Sequence, residues 1–291
     1  MLEKYSVLMP VYYRERPEHL RQSVQSMLDQ TVPPDEFVIV CDGPLTEGLD
    51  GVIAEFEEKY PDLFRIIRLE KNCGIGTALN TGLAGCSHEL VARMDSDDIA
   101  VPERMALQLA EMERCPDLSA VGGQIAEFYD DPEHVSGYRC VPTGEAEVYA
   151  YAKLRNPMNH MTVLMKKSHV AQVGNYQTFP GPGFEDYYLW VSLLADGRKL
   201  RNLDAICCRV RAGNGLFERR GGWAYFRNCR KVEKLLLETG IISPVRYMVN
   251  NVMWFTGTMI LPPRCRKSVF VHFLRQRALK KAAGAKIEER L

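Results

Sequence analysis

Short apolar runs alternate with longer stretches in which apolar residues return every three or four positions. Residues 6–11 form a compact apolar run that reads as a buried strand. Leu20, Val24, Met27 and Leu28 then recur at the spacing of one helix face. A second strand is expected at residues 37–40, ending in Cys41-Asp42-Gly43, and a second helix on Leu49, Val52, Ile53 and Phe56. Residues 64–69 read as a third strand. A Gly-rich turn at 72–76 leads into a helix start at 77–80. Residues 89–94 are a fourth strand, stopping at Asp95-Ser96-Asp97-Asp98. Pro102 fits a first helical position, and Met105, Leu109 and Met112 carry that helix to about Cys115.

This alternation predicts an α/β fold: a mixed, mostly parallel sheet flanked by helices. In such sheets ligands bind beyond the carboxyl ends of the strands. Asp42, the 72–76 loop and the 95–98 cluster all fall at strand ends, so one crevice is expected to gather them. After about residue 120 the pattern loosens. Strands are expected at 121–125, 162–165 and 205–210, with helices at 149–154, 187–194 and 228–239, the last ended by Gly240.

The 37 basic and 37 acidic residues cancel in total but not locally. Residues 1–200 hold 18 basic and 31 acidic side chains; residues 201–291 hold 19 and 6. The asymmetry hints at a charged partner for the basic end. At 46% apolar the chain is not disordered. Its nine cysteines are scattered and never spaced C-x-x-C, which argues against a disulfide framework or a zinc knuckle and for a reducing cytosol. No signal peptide and no membrane-spanning run of about 20 apolar residues is expected.

Asp95-Ser96-Asp97-Asp98 sets two or three carboxylates on a tight turn, a set of hard oxygen ligands suited to Mg2+ or Mn2+. The alternative is a helix cap, which can hold for Asp98 while Asp95 and Asp97 bind metal. The paired acids Glu185-Asp186 follow a Gly/Pro-rich loop at 179–183 and precede a helical pattern, so Asp186 is either a reactive carboxylate or a cap.

Several short motifs stand in order along the chain. They are Leu8-Met9-Pro10-Val11-Tyr12, Gln30-Thr31, residues 36–43, Asn72-x-Gly74-x-Gly76 and Ala78-Leu79-Asn80. Arg93-x-Asp95-x-Asp97-Asp98, Pro102-x-Arg104, Asn156-Pro157-x-x-His160-x-Thr162, Gly174-x-Tyr176 and Glu185-Asp186-Tyr187 follow. Together they resemble the family 2 glycosyltransferases, inverting nucleotide-diphosphosugar enzymes with a GT-A fold. The stretch from Arg209 through Gly222 resembles the branch that builds bacterial capsular polysaccharides and exopolysaccharides. Cys41 stands where the family often has an acidic residue or Ser.

The resemblance implies a catalytic domain over 1–222, with a nucleotide-sugar half (1–120) and an acceptor half (121–222), and a basic helical extension over 223–291. It implies a donor site on Pro10, Val11, Tyr12, Asp42, Asn72, Gly74, Asn80, Arg93, Asp95 and Ser96, with a UDP-sugar as donor. Asp42 either accepts from the base imide or makes an Asx-turn with Gly43. The implied metal, Mn2+ or Mg2+, falls to Asp95 and Asp97, joined by His160, which can otherwise meet diphosphate or bond within a turn. Asp186 is the implied catalytic base. Glu185, Arg211, Arg219 and Arg220 are expected on the acceptor or the diphosphate. The implied acceptor is a glycan or a polyprenyl-diphosphate-linked saccharide, and no nucleic acid is expected as partner.

Val245, Met248, Val249, Val252, Phe255 and Met259 form a helical stripe before Pro262-Pro263, and nine basic residues follow. This reads as an amphipathic helix with a basic tail. It lies either in the interface of an anionic membrane, on the inner face of the cytoplasmic membrane, or against protein. Two other functions compete. A sugar-phosphate nucleotidyltransferase needs a Gly-rich basic signature after the first strand, where Pro10-Val11-Tyr12 stands instead. A nucleic-acid binder using the basic end would carry an acidic front that repels phosphates.

Overall fold

A computed structural model describes residues 3–181, 183–212 and 221–262. Nine strands form one mixed sheet in the order β3-β2-β1-β4-β8-β6-β9-β5, with β7 added beside β6. The N-terminal strands β1 (Tyr5–Val11), β2 (Glu36–Cys41), β3 (Phe64–Arg68) and β4 (Leu90–Arg93) run parallel. Helices α1 (Pro17–Leu28), α2 (Glu47–Lys59) and α3 (Ile75–Gly85) make the crossovers between them. The short β5 (Ile99–Ala100) leads to α4 (Arg104–Arg114). Pro102 therefore lies two residues before the helix rather than in its first turn.

Period-two alternation along β1 explains the two-sided core. Val7, Met9 and Val11 face α1, α2 and α4, packing with Leu20, Val24, Ile53, Phe56 and Met105. Leu8, one residue out of phase, joins Val38, Val40 and the α3 residues Ala78, Leu79 and Leu83 on the other face.

The second half is mixed. β6 (Leu118–Phe128) and β9 (Lys199–Arg211) pair in parallel, while β8 (Leu164–Lys166) runs antiparallel to β4 and β6. β7 (Val135–Arg139) completes a hairpin with β6. Helices α5 (Glu145–Ala152), α6 (Lys167–Gln172) and α7 (Glu185–Ala195) cover this half. Two further helices, α8 (Gly222–Glu238) and α9 (Pro244–Phe255), continue into a π-helical turn, Thr256–Ile260. Cys229, Val232 and Leu236 of α8 enter the same apolar core as Trp190 and Leu193 of α7. No described helix is long and apolar enough to cross a membrane. The eight described cysteines are free thiols.

Candidate functional site

The crevice starts where β1 and β2 end. Pro10 and Val11 close β1, and Tyr12 just beyond them is 40% exposed. Asp42, one residue past β2, is buried, and its side chain reaches beyond Gly43 to the next loop. Its carboxylate accepts from the backbone N–H of Cys73 (2.7 Å) and Gly74 (3.1 Å), and Asn72 Nδ2 donates to its carbonyl (3.3 Å). Asp42 thus ties the loop after β3 to the end of β2. Gly74, the residue before α3, holds φ +85°, a conformation that favours glycine. Asn80 acts elsewhere. Its amide donates to the Tyr176 carbonyl (2.8 Å) and accepts from the Tyr176 N–H (2.9 Å). Both amide atoms clamp the Gly174–Tyr176 loop instead of facing the crevice as free groups.

Beyond β4, Asp95, Asp97 and Asp98 each offer an oxygen, and these atoms all lie within 4.8 Å of one another. Arg93, buried at the strand end, pairs with Asp95, leaving its Nε and Nη1 without a partner. Burial, then repulsion from Asp95 and Glu15, pushes the Asp97 carboxyl up to about 7. Burial, then Asp97, drives Asp98 well above the usual carboxylate range. Asp98 Oδ1 also accepts from the Arg211 N–H (3.0 Å). Asp98 is therefore not a helix cap; it is the third member of the cluster. Three crowded oxygens short of positive charge fit a hard divalent cation.

Glu15, in the loop after β1, gives no sequence signal beyond its place, yet it belongs here. Its carboxylate accepts from Ser96 Oγ (2.9 Å) and lies 3.3 Å from His19 Nδ1. Ser96 thus bonds to protein. Arg211 lies over the Phe128 ring and donates to Gln22 (3.0 Å), so it reaches the cluster through its backbone. Arg219 and Arg220 lie outside the described residues.

The second acidic pair opens α7. Phe184 before it holds φ +134°, a strained value for a residue with a side chain. Its ring packs edge-on against Tyr225 of α8 at 4.8 Å. Asp186 is oriented from both sides: Asn156 Nδ2 donates to Oδ2 (2.5 Å) and the Tyr187 N–H to Oδ1 (2.7 Å). Burial still raises its pKa, against those bonds and Arg93. Glu185 is buried, and burial followed by the charge of Asp186 pushes it up to about 7; Asp95 adds to that rise.

His160 departs from the expected metal set. It is buried, its Nε2 lies 2.8 Å from the Tyr176 hydroxyl, and its ring meets Trp190 edge-on. Burial, then Arg93, holds its pKa well below the usual value, so it is neutral. Among the described residues the metal-capable cluster is Asp95, Asp97 and Asp98, without His160.

Comparison with known proteins agrees with this architecture. The family model for glycosyl transferase family 2 matches residues 6–170. A glycosyltransferase of Haemophilus influenzae is 39% identical over 94% of this chain and 100% of its own length. The UDP-Gal:alpha-D-GlcNAc-diphosphoundecaprenol beta-1,3-galactosyltransferase of Escherichia coli is 32% identical, over 94% of this chain and 97% of its own. Among solved structures, Staphylococcus aureus TarS 1–349 in complex with UDP-GlcNAc superposes with a TM-score of 0.64 at 17% identity, covering 92% of this chain and 75% of that one. The fold is therefore GT-A, and the chain belongs to glycosyl transferase family 2.

Proposed function

We propose that this glycosyltransferase moves a sugar from a UDP-sugar to a hydroxyl of a polyprenyl-diphosphate-linked saccharide, with inversion, in surface polysaccharide assembly. The observation that carries the reading is the cluster of Asp95, Asp97 and Asp98 at the end of β4, with oxygens within 4.8 Å of one another, beside the Glu185-Asp186 pair at the start of α7, whose Asp186 is held by Asn156 and the Tyr187 N–H. The uridine donor and the lipid-linked acceptor are inferred from what the E. coli relative and the TarS complex carry in their names.

Asp95, Asp97 and Asp98 would hold Mn2+ or Mg2+. Once bound, such an ion supplies charge neutralisation for a departing diphosphate, which then needs no proton. Tyr12, Pro10 and Val11 line the base side. The Asp42 contact to the loop at 72–74 shapes that side, and its remaining lone pairs can accept from a base imide.

Asp186 is the base that takes the proton from the acceptor hydroxyl. Asn156 and the Tyr187 N–H fix its orientation and favour its charged form. The freed acceptor oxygen attacks the anomeric carbon opposite the diphosphate, and the configuration inverts. Glu185, next to it in sequence, is read as an acceptor contact. Arg219 and Arg220 keep their proposed role on the acceptor or the diphosphate. An acceptor carried in a membrane sets the enzyme peripherally on the inner face of the cytoplasmic membrane.

Calorimetry with a panel of nucleotide-sugars, each with and without Mn2+ or Mg2+, tests the reading. Binding of a UDP-sugar that requires metal and disappears in Asp95→Ala and Asp97→Ala is expected. Metal-independent binding, or binding unchanged in both variants, overturns it.

A further inference from the structure

Helix α9 is built the wrong way round for a helix that simply completes a core. Its inward side carries Tyr247, Asn250, Trp254 and, in the following turn, Thr258. Asn250, fully buried, donates through Nδ2 to the Lys153 carbonyl and to Glu233 Oε2, both at 2.9 Å. Trp254 Nε1 donates to Glu233 Oε1 (3.0 Å). The outward side is apolar: Val245 is 65% exposed, Met248 59%, Val252 66% and Ile260 63%, with Val249, Met253, Phe255 and Met259 among them. Trp223, on α8, extends the patch through Phe226 to Phe255, with ring centroids 5.6 and 5.4 Å apart. Burying the polar side fixes the rotation of the helix, because turning it over would strip Glu233 and Asn250 of their partners.

From Tyr247 to Pro262 the chain has no charged residue. Immediately after come Arg264, Arg266 and Lys267, the first of nine basic residues against two acidic ones before the chain ends. A charge-free apolar face joined to concentrated positive charge calls for a surface that is apolar inside and anionic outside. A protein partner would need both properties side by side; a bilayer with anionic headgroups has them by construction.

The face is also tied to the chemistry. Asn228 of α8 donates to the Pro180 carbonyl in the loop before Glu185 (3.0 Å). Asn250 holds Lys153, three residues before the Asn156 that orients Asp186.

We infer that the outward face of α9, with Trp223 at its edge, docks on an anionic lipid bilayer and holds the acceptor end of the crevice at the membrane surface. The inference rests on the proposed lipid-linked acceptor but commits further, to a face and a lipid charge.

The test is flotation of the full chain with vesicles of phosphatidylcholine alone and of phosphatidylcholine with about 30% phosphatidylglycerol, a charge density that draws basic segments to a bilayer. The double variant Met248→Glu/Val252→Glu changes two exposed positions. Wild type is expected to float with the anionic vesicles and much less with the neutral ones, and the variant to lose at least about tenfold in bound fraction. Mn2+-dependent UDP binding, measured on the same samples, should be equal in both. Equal flotation of variant and wild type overturns the docking face. So does failure of wild type to bind anionic vesicles while UDP binding is intact. A wild-type dimer at micromolar concentration that the variant splits assigns the face to a second copy and equally overturns it.

Discussion

Two acidic centres, one fully buried and one partly exposed, teach opposite lessons. Glu233, 1% exposed, sits between α8 and α9 with one oxygen on Asn250 and the other on Trp254. Its charge is answered by donors, and it joins two helices. Asp95, Asp97 and Asp98 crowd together at the end of β4, and among the described residues Arg93 is the one side chain paired with them. Burial, and then repulsion among the acids, raises Asp97 and Asp98. A buried carboxylate with its partners is architecture; a group of crowded carboxylates without enough partners is a place kept for a cation.

The sharpest break of that contrast is Asp97→Asn. The side chain keeps its size and loses its charge. Turnover is expected to fall on the order of 10^3-fold or more, since several kcal/mol of transition-state charge stabilisation depends on the ion. Mn2+ titration should lose its signal in parallel. Near-normal turnover would leave the cluster without a catalytic role. Asp186→Asn comes next. Its new amide oxygen can keep the bond from the Tyr187 N–H, and its NH2 group is satisfied if the Asn156 amide turns its oxygen toward it. Turnover is expected to drop about 10^2- to 10^4-fold, the range of a lost general base. Donor affinity should stay unchanged, and calorimetry beside steady-state rates separates the two.

At the architectural centre the loss is in stability. Glu233→Leu strands the Trp254 N–H and one of the Asn250 bonds, costing about 2–4 kcal/mol. Urea unfolding reads it. A cost below about 0.5 kcal/mol would mean that water satisfies those donors and that Glu233 does not fix α9.

Glu185 lies between the two cases: like Glu233 it is buried and its pKa is raised by that burial, but the charge of Asp186 adds to the rise and carries it to about 7. A carboxyl raised in the folded state favours folding when protonated. That advantage is full below the unfolded value near 4.5 and is lost as pH rises through about 7. Glu185→Gln removes the titration. The variant should be more stable than wild type at pH 8 by about 1–3 kcal/mol, and the gain should vanish near pH 4.5. Thermal melts at both pH values check the sign; a variant less stable at pH 8 refutes it.

What is readable from the chain alone follows from locality. The βα repeats of residues 5–115 announce themselves because β1, β2 and β4 are largely apolar runs, β3 keeps Phe64, Ile66 and Ile67 around Arg65, and the helices between them are amphipathic. Strand ends then locate Asp42, Asp95 and Asp97 without any tertiary knowledge. The second half hides more. β7 carries half-exposed side chains and leaves no pattern, and even in the first half the two-residue β5 leaves none. Glu15 has no periodicity to mark it and joins the cluster through the hydrogen bond it accepts from Ser96, 81 residues away in the chain. The apolar stripe of α9 is visible in its spacing, but its outward orientation depends on Glu233, 17 residues before Asn250 and on another helix.

His160 illustrates the same limit and offers the finest test. A histidine in the Asn156–Thr162 motif invites metal chemistry, yet its Nε2 is occupied by the Tyr176 hydroxyl at 2.8 Å. The same Tyr176 presents its backbone to Asn80, so His160, Tyr176 and Asn80 brace one loop together. Gln at this position can keep a hydrogen bond to Tyr176 while removing the imidazole. Mn2+ affinity of His160→Gln is expected to stay within about twofold of wild type, because no ligand is lost. A fall of about tenfold or more, about 1.4 kcal/mol, would move His160 from the brace to the metal. The cation would then draw on the structural core as well as on the acidic turn, and the separation between the two kinds of buried polar group would be narrower than the carboxylates alone imply.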